Sequence, residues 1–79
     1  MYLPEVYIYY LQMEVTYNNQ IKEIHSETLV SDFVLSQIGD KQNGIAMAIN
    51  EVIIPKTEWS KTYIKSNDSL LIIKATQGG

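Results

Sequence analysis

The sequence contains no cysteine and no arginine among its 79 residues. Small secreted domains commonly depend on disulfides, so the lack of cysteine favours a reducing compartment, and we expect a cytoplasmic protein. The lack of arginine excludes bidentate guanidinium recognition of phosphate or carboxylate by this chain. The net charge of −3 and the dispersed cations disfavour nucleic-acid binding, which requires clustered lysine or arginine. The six lysines are Lys22, Lys41, Lys56, Lys61, Lys65 and Lys74.

Long apolar runs are also missing. No stretch approaches the ~20 residues that span a bilayer, and the N-terminus lacks the basic region and small-residue cleavage site of a signal peptide. We therefore predict a soluble protein without a membrane partner. A single domain of this size buries only ~60% of its unfolded surface, which leaves little room for a private substrate pocket. A binding or carrier module is favoured over an enzyme.

Residues that carry catalysis or bind metal are scarce. His25 is the only histidine and lies in a polar stretch without a cysteine, so we predict that it is solvent-exposed and binds no metal. The serines have no evident partner base, and the glutamates are scattered. The sequence therefore predicts no catalytic residue, no metal site and no bound cofactor.

Residues 1–12 differ in style from the rest of the chain, because they hold four of the six tyrosines. Read as a strand, this segment would be apolar on both faces, as in a strand added to a sheet edge or an interface. A clean alternating pattern begins only at Met13. Residues 1–12 are therefore an N-terminal extension that is either a misplaced start or a genuine extra strand or dimerisation arm, and the domain proper covers residues 13–79.

The pattern from Met13 predicts a β-hairpin followed by one helix. Apolar and polar residues alternate over residues 13–17, Asn18-Asn19 suits a tight turn, and residues 20–24 form the returning strand. Thr28 is the candidate N-cap of the helix, and Gly39 is expected to end it. An apolar stripe at helical spacing marks the buried face of this helix: Val30, Phe33, Val34 and Ile38.

Three further strands are predicted after the helix. Residues 45–49 and 52–54 flank a second hairpin turn at Asn50-Glu51, and Pro55 ends the second of these strands. Trp59 and Tyr63 are expected to cover one end of the core. After a turn at Asn67, residues 70–75 form an apolar strand that we expect to be buried on both faces. The predicted fold class is α+β, a mixed sheet of about four to five strands with one helix across one face, and the first and last strands are candidates for its centre.

The chain ends on an isolated diglycine, Gly78-Gly79, preceded by Gln77. Glycine has the widest backbone freedom and no Cβ, so two at a terminus give a thin strand that fits a narrow channel. Residues 76–79 are expected to form a flexible tail that presents the terminal carboxylate to another enzyme.

The stretch from Gly44 onward resembles the ThiS family of sulfur carriers, which have the ubiquitin-like β-grasp fold. Three features carry the resemblance: a strand of alternating alanines that ends in Asn50, the pair Ile54-Pro55, and Trp59 four residues later. The chain also ends in Gly-Gly, as the family does. Two positions depart from the family pattern: the turn before the last strand is Asn67-Asp68 rather than Gly-Asp, and Lys56 stands where arginine is frequent.

The resemblance implies a sulfur relay in thiamine biosynthesis. An adenylyltransferase of the ubiquitin-activating type would use ATP to adenylate the Gly79 carboxylate, and sulfur from a persulfide donor would then give a C-terminal thiocarboxylate. That thiocarboxylate would donate sulfur to thiazole synthase. The chain would be a carrier and co-substrate rather than an enzyme.

Other carriers and binding modules remain alternatives. One is the small subunit of molybdopterin synthase, which also has the β-grasp fold and a terminal Gly-Gly. The other is a β-grasp protein modifier or adaptor, and the loss of Gly79 would leave an adaptor functional. The sheet face away from the helix is available for docking a partner. The residues that we predict to contact a partner are Ile45, Met47, Ile53 and Lys56.

Overall fold

The computed structural model describes residues 12–74. The predictions for residues 1–11, for the last residue of the final strand and for the tail at residues 76–79 lie outside the described residues. The elements are β1 (Gln12–Tyr17), β2 (Gln20–His25), α1 (Val30–Ile38), β3 (Ile45–Ile49), β4 (Val52–Ile54), a 3-10 helix (Lys56–Lys61) and β5 (Ser69–Lys74). Apart from the 3-10 helix, each element corresponds to one predicted from the sequence.

The strands form one mixed sheet in the order β2-β1-β5-β3-β4. β5 runs parallel to β1 and antiparallel to β3. It therefore lies between the β1–β2 hairpin and the β3–β4 hairpin. The prediction that the first and last strands lie at the centre is confirmed. One helix across one face of such a sheet is the β-grasp arrangement.

Asparagine sets the tight turns of this fold. Asn18 and Asn19 have φ values of 49° and 68°, and Asn50 and Glu51 have values of 51° and 69°. Positive φ at both central positions matches the twist of a two-residue β-hairpin. Asn67 has a φ of 68° in the turn before β5. Asparagine adopts this left-handed conformation more readily than most residues, which is why these turns are readable in the sequence.

The helix α1 ends where the sequence predicts, but it begins differently. Gly39 follows the last helical residue with a φ of 69°, and its N–H donates to the carbonyl of Leu35. The prediction that Thr28 is the N-cap is wrong, because Leu29 occupies that position in an extended conformation. The Thr28 hydroxyl instead donates to the carbonyl of His25 at 2.6 Å. Short polar side chains often prefer such a local backbone acceptor.

The core lies between α1 and the sheet face that it covers. Its buried side chains are Val15, Val30, Phe33, Val34, Met47, Trp59, Ile64 and Leu70. Tyr17 packs edge-on against Phe33 with ring centroids 5.1 Å apart, a favoured arrangement of two aromatic rings. The Trp59 indole N–H donates to the carbonyl of Ile54 at 2.9 Å, which satisfies the polar atom of a buried side chain.

Two predictions about burial are wrong. Tyr63 does not cover the core, because 55% of it is exposed, whereas Trp59 is buried as predicted. The central strand β5 is not buried on both faces, since Leu71 and Ile73 are 44% and 41% exposed. Within residues 12–74, α1 covers only the other face, so every second residue of β5 lies on a sheet surface that no described element covers.

Candidate functional site

The C-terminal end of β5 is the point from which residues 75–79 continue. β5 pairs with β3 along five positions, from Leu70 opposite Ile49 to Lys74 opposite Ile45. On its other side it pairs with β1 through Ser69 and Leu70. Lys74, the last described residue, is thus part of the central strand. Gln77, Gly78 and Gly79 lie outside the described residues, so their role stays a prediction.

The start of β5 is fixed by the side chain of Asn50. Its Oδ1 accepts a hydrogen bond from the Ser69 N–H at 2.9 Å, and its Nδ2 donates to Asp68 Oδ1 at 3.0 Å. Asp68 Oδ2 in turn accepts from the Lys65 N–H at 2.8 Å. The Asn50 N–H also donates to the Ser69 carbonyl at 2.8 Å. This network joins the β3–β4 hairpin to the turn before β5 and therefore positions the strand that leads to the tail.

The sequence identifies Asn50 as a turn residue and as part of the family pattern. It does not predict that the Asn50 side chain bonds to the turn before β5. The two partners are 18 residues apart in sequence. A signal was present, because an asparagine in one turn and an aspartate in another are residues that often hydrogen-bond to backbone N–H groups. Nothing in the sequence alone says that these two turns meet.

The sheet face away from α1 is apolar at its centre. In the strand register Ala48 lies between Leu71 of β5 and Ile53 of β4, and Ala46 lies opposite Ile73. Ala48 is buried and Ala46 is half-buried, whereas Ile53, Leu71 and Ile73 are each at least 41% exposed. We call these five residues the open apolar face. Grouped exposed apolar side chains on a small protein mark an interaction site.

Of the four residues predicted to contact a partner, Ile53 lies on the open apolar face. Ile45 and Met47 do not, because alternate residues of a strand point to opposite faces, and Ala46 and Ala48 occupy the open one. Met47 is fully buried and Ile45 is half-buried against the core. Both residues belong to the helix-covered face. The expected surface contact is therefore wrong for Met47, whereas the contact predicted for the partly exposed Ile45 is untested.

Lys56 is exposed, but it is engaged within the domain. Its Nζ donates to the carbonyl of Gln42 at 3.3 Å and lies 5.6 Å from the centre of the Trp59 ring. A cation in this position over an aromatic ring is attracted to its face. Lys56 thus links the loop after α1 to the 3-10 helix, and its predicted contact with a partner is untested.

Residues 12–74 contain neither a metal-binding cluster nor a membrane-spanning helix. In this range no three His, Cys, Asp or Glu side chains are grouped closely enough to hold a metal ion. His25 is exposed, as predicted. The α-helix in this part of the chain has nine residues and is too short to cross a bilayer.

Comparison with known proteins assigns the family. The model of the ThiS family matches residues 15–79, which include the terminal diglycine. The sulfur carrier protein ThiS of Escherichia coli (strain K12) is 28% identical over 67 residues, which cover 85% of this chain and 100% of that protein. The crystal structure of the thiamine biosynthesis protein ThiS from Geobacter metallireducens has a TM-score of 0.70 and 18% identity, over 85% of this chain and 100% of that one. That likeness confirms the ubiquitin-like β-grasp fold, and the family match shows that the chain belongs to the ThiS family.

Proposed function

We propose that this protein is a sulfur carrier in thiamine biosynthesis and that it carries sulfur as a thiocarboxylate at Gly79. The family match carries the proposal, because it extends through the last residue of the chain. The relatives support it further, since one is named a sulfur carrier protein and the other a thiamine biosynthesis protein. They favour this role over that of a molybdopterin synthase subunit.

The chemistry requires activation by a partner enzyme. The Gly79 carboxylate attacks the α-phosphorus of ATP on an adenylyltransferase of the ubiquitin-activating type, and pyrophosphate leaves. A persulfide sulfur then attacks the carbonyl carbon, and AMP leaves. A thiol cleaves the sulfur–sulfur bond and releases the thiocarboxylate, which attacks the substrate on thiazole synthase. The chain supplies the reacting group but no acid, base or bound cofactor.

Three structural features suit a carrier. The tail follows a strand that lies at the centre of the sheet, between the two hairpins. The Asn50 network fixes where that strand begins. The open apolar face supplies a surface for a partner, because apolar area removed from water stabilises a complex by about 25 cal/mol per Å² before the costs of association.

The test is the intact mass of the protein after incubation with ATP, a ThiS-activating adenylyltransferase and a persulfide donor. We expect a mass gain that matches the replacement of one oxygen by sulfur, and no gain in a variant that lacks Gly79. The variant should melt at the temperature of the parent, because the deletion lies beyond the described sheet. No mass gain, with the same enzyme active on a known carrier, would exclude sulfur transfer and favour an adaptor or modifier.

Transfer of the sulfur to thiazole synthase decides between the two carrier roles. The purified thiocarboxylate is mixed either with thiazole synthase or with the large subunit of molybdopterin synthase, each with its own substrate. We expect product and loss of the thiocarboxylate mass with the first enzyme. Product with the second enzyme alone would mean that the protein acts in molybdopterin biosynthesis rather than in thiamine biosynthesis.

A further inference from the structure

The lysines are dispersed in sequence, but half of them lie together where β5 ends. Lys74, the last residue of β5, lines an open cleft of about 500 Å³ together with Lys41, Asn43 and Asp40. The cleft lies between the end of the strand and the loop after α1. Lys56 reaches the same loop and donates to the carbonyl of Gln42. We call Lys41, Lys56 and Lys74 the basic rim.

The loop that holds part of this rim has a defined shape. The Gln42 side chain donates to the Gly39 carbonyl at 2.8 Å, and its backbone N–H donates to the Asp40 carbonyl at 3.0 Å. The Ile45 N–H donates to the Gln42 carbonyl at 3.3 Å. These bonds keep Lys41 next to Lys74. Among residues 12–74, Asp40 is the single acidic residue that lines the cleft, so the described side chains give this end a net positive charge although the chain is net negative.

At the opposite end of the sheet, carboxylates outnumber the lysines that lie there, Lys22 and Lys65. Asp68 directly precedes β5, and Glu51 lies in the adjacent hairpin turn. Glu14 of β1 stands directly opposite Glu23 of β2, beyond the first residue of β5. Like charges in directly opposed positions destabilise a sheet, so folding does not require this arrangement. The charges of residues 12–74 therefore form an electric dipole along β5, and its positive end is the end from which residues 75–79 continue.

We propose that the basic rim docks on acidic side chains around the tail entrance of the adenylating partner and turns the domain so that the tail enters first. This inference rests on the proposed function. Complementary charges raise the association rate and fix orientation more than they raise affinity.

The rim is matched to the surface of the enzyme rather than to the phosphates of ATP. Gly79 lies five positions beyond Lys74, and an extended chain of this length spans about 17 Å. If Gly79 lies at the nucleotide, the rim lies outside the channel. The Debye length is ~8 Å at physiological ionic strength, so the lysines act on the charges that they contact and not on the distant nucleotide.

The test compares two charge-reversal variants with the same change in net charge. The rim variant carries Lys41→Glu and Lys74→Glu, and the control carries Lys22→Glu and Lys61→Glu, two lysines that lie outside the rim and outside the Asn50 network. ATP–pyrophosphate exchange by the adenylyltransferase is measured against carrier concentration at low and high salt. We expect the rim variant to raise KM for the carrier about tenfold at low salt, the lower range of electrostatic steering, with kcat unchanged and a smaller difference at high salt. The control should stay within about twofold of the parent.

Several results would overturn the inference. Equal effects of the two variants would mean that only net charge matters, and an unchanged KM would mean that the rim makes no contact. A lower kcat at unchanged KM would place the lysines at the nucleotide. Variants with Gln in place of Glu keep the test valid if charge reversal impairs folding, and they should give a smaller increase in KM. No exchange with the parent would refute the proposed function and this inference with it, whereas normal exchange by the rim variant refutes the inference alone.

Discussion

Replacement of Asn50 by alanine tests whether the start of β5 is held as the structure shows. The change removes the hydrogen bonds to the Ser69 N–H and the Asp68 carboxylate. It also leaves alanine at a φ of 51°. Each hydrogen bond contributes about 0.5–1.5 kcal/mol, and because both are exposed we take the lower half of that range. The left-handed conformation costs alanine about 1 kcal/mol. We expect the free energy of unfolding to fall by about 2–3 kcal/mol.

Two further variants separate the hydrogen bonds from the backbone conformation. Asn50→Gly loses the same side-chain bonds but tolerates positive φ, so it should lose only about 1–2 kcal/mol. Asn19→Ala is the matched control, since Asn19 has a φ of 68° and its side chain makes no hydrogen bond within residues 12–74. It should lose about 1 kcal/mol.

Urea unfolding at neutral pH measures these differences. A slope of about 1 kcal/mol per molar urea is expected for a domain of this size, so Asn50→Ala should lower the midpoint by about 2–3 M. The slopes of the variants must agree for the comparison to be valid. Parent-like stability of Asn50→Ala, or a loss no greater than that of Asn19→Ala, would refute the view that the Asn50 side chain anchors β5.

Five other substitutions test the core, the open apolar face and the tryptophan. Met47→Ala should lower the free energy of unfolding by about 2–5 kcal/mol because Met47 is fully buried, whereas Ile53→Ala should cost less than about 1 kcal/mol, both by urea titration; similar losses would contradict the assignment of the two faces. Ile73→Glu should weaken binding to the adenylyltransferase about tenfold in a calorimetric titration. Leu35→Glu should not weaken it, because Leu35 is on the outer side of α1 and is 52% exposed. Equal effects would exclude the open apolar face as the docking surface. Trp59→Phe removes the bond to the Ile54 carbonyl and should lower the free energy of unfolding by about 1 kcal/mol, and an unchanged melting curve would show that this bond contributes nothing.

The elements of this fold are readable in the sequence because their signals are local. Asn18-Asn19 and Asn50-Glu51 stand at turns that need positive φ, and Pro55 and Gly39 end the elements that precede them. The 3-10 helix was not predicted, since a helix of this kind is too short to produce a periodic pattern. Thr28 was misassigned for a related reason: a threonine that bonds to a nearby carbonyl and one that caps a helix look the same in sequence.

The faces of the sheet could not be assigned from the sequence. The residues of β3 alternate between large and small, and both sets are apolar, so the pattern does not say which set meets the helix. The register decides it, because Met47 pairs with Ile72 and Ile54 on the covered side, and Ala48 pairs with Leu71 and Ile53 on the other. Pairing between strands distant in sequence supplies this information.

The candidate site divides in the same way. The diglycine is visible in the sequence because it is a contiguous motif, and the resemblance supplied its chemistry. The Asn50–Asp68 pair and the basic rim are assembled from separate segments. Lys41 and Lys74 are 33 positions apart in the chain, and only the pairing of β3 with β5 brings their neighbourhoods together.

Because β5 lies at the centre of the sheet, the sheet cannot form fully until β5 has been synthesised. Among the strands of residues 12–74, β5 is synthesised last, and its partners β1 and β3 come from earlier segments. Thr16 and Ser69 are about 50 residues apart, a non-local pairing of the kind that slows folding. A polypeptide cut off before β5 would leave β1 and β3 with unpaired edges at the middle of the sheet, which favours aggregation and degradation. Cellular quality control would thus remove truncated products. The molecules that survive would be those in which synthesis had continued beyond β5 toward the diglycine.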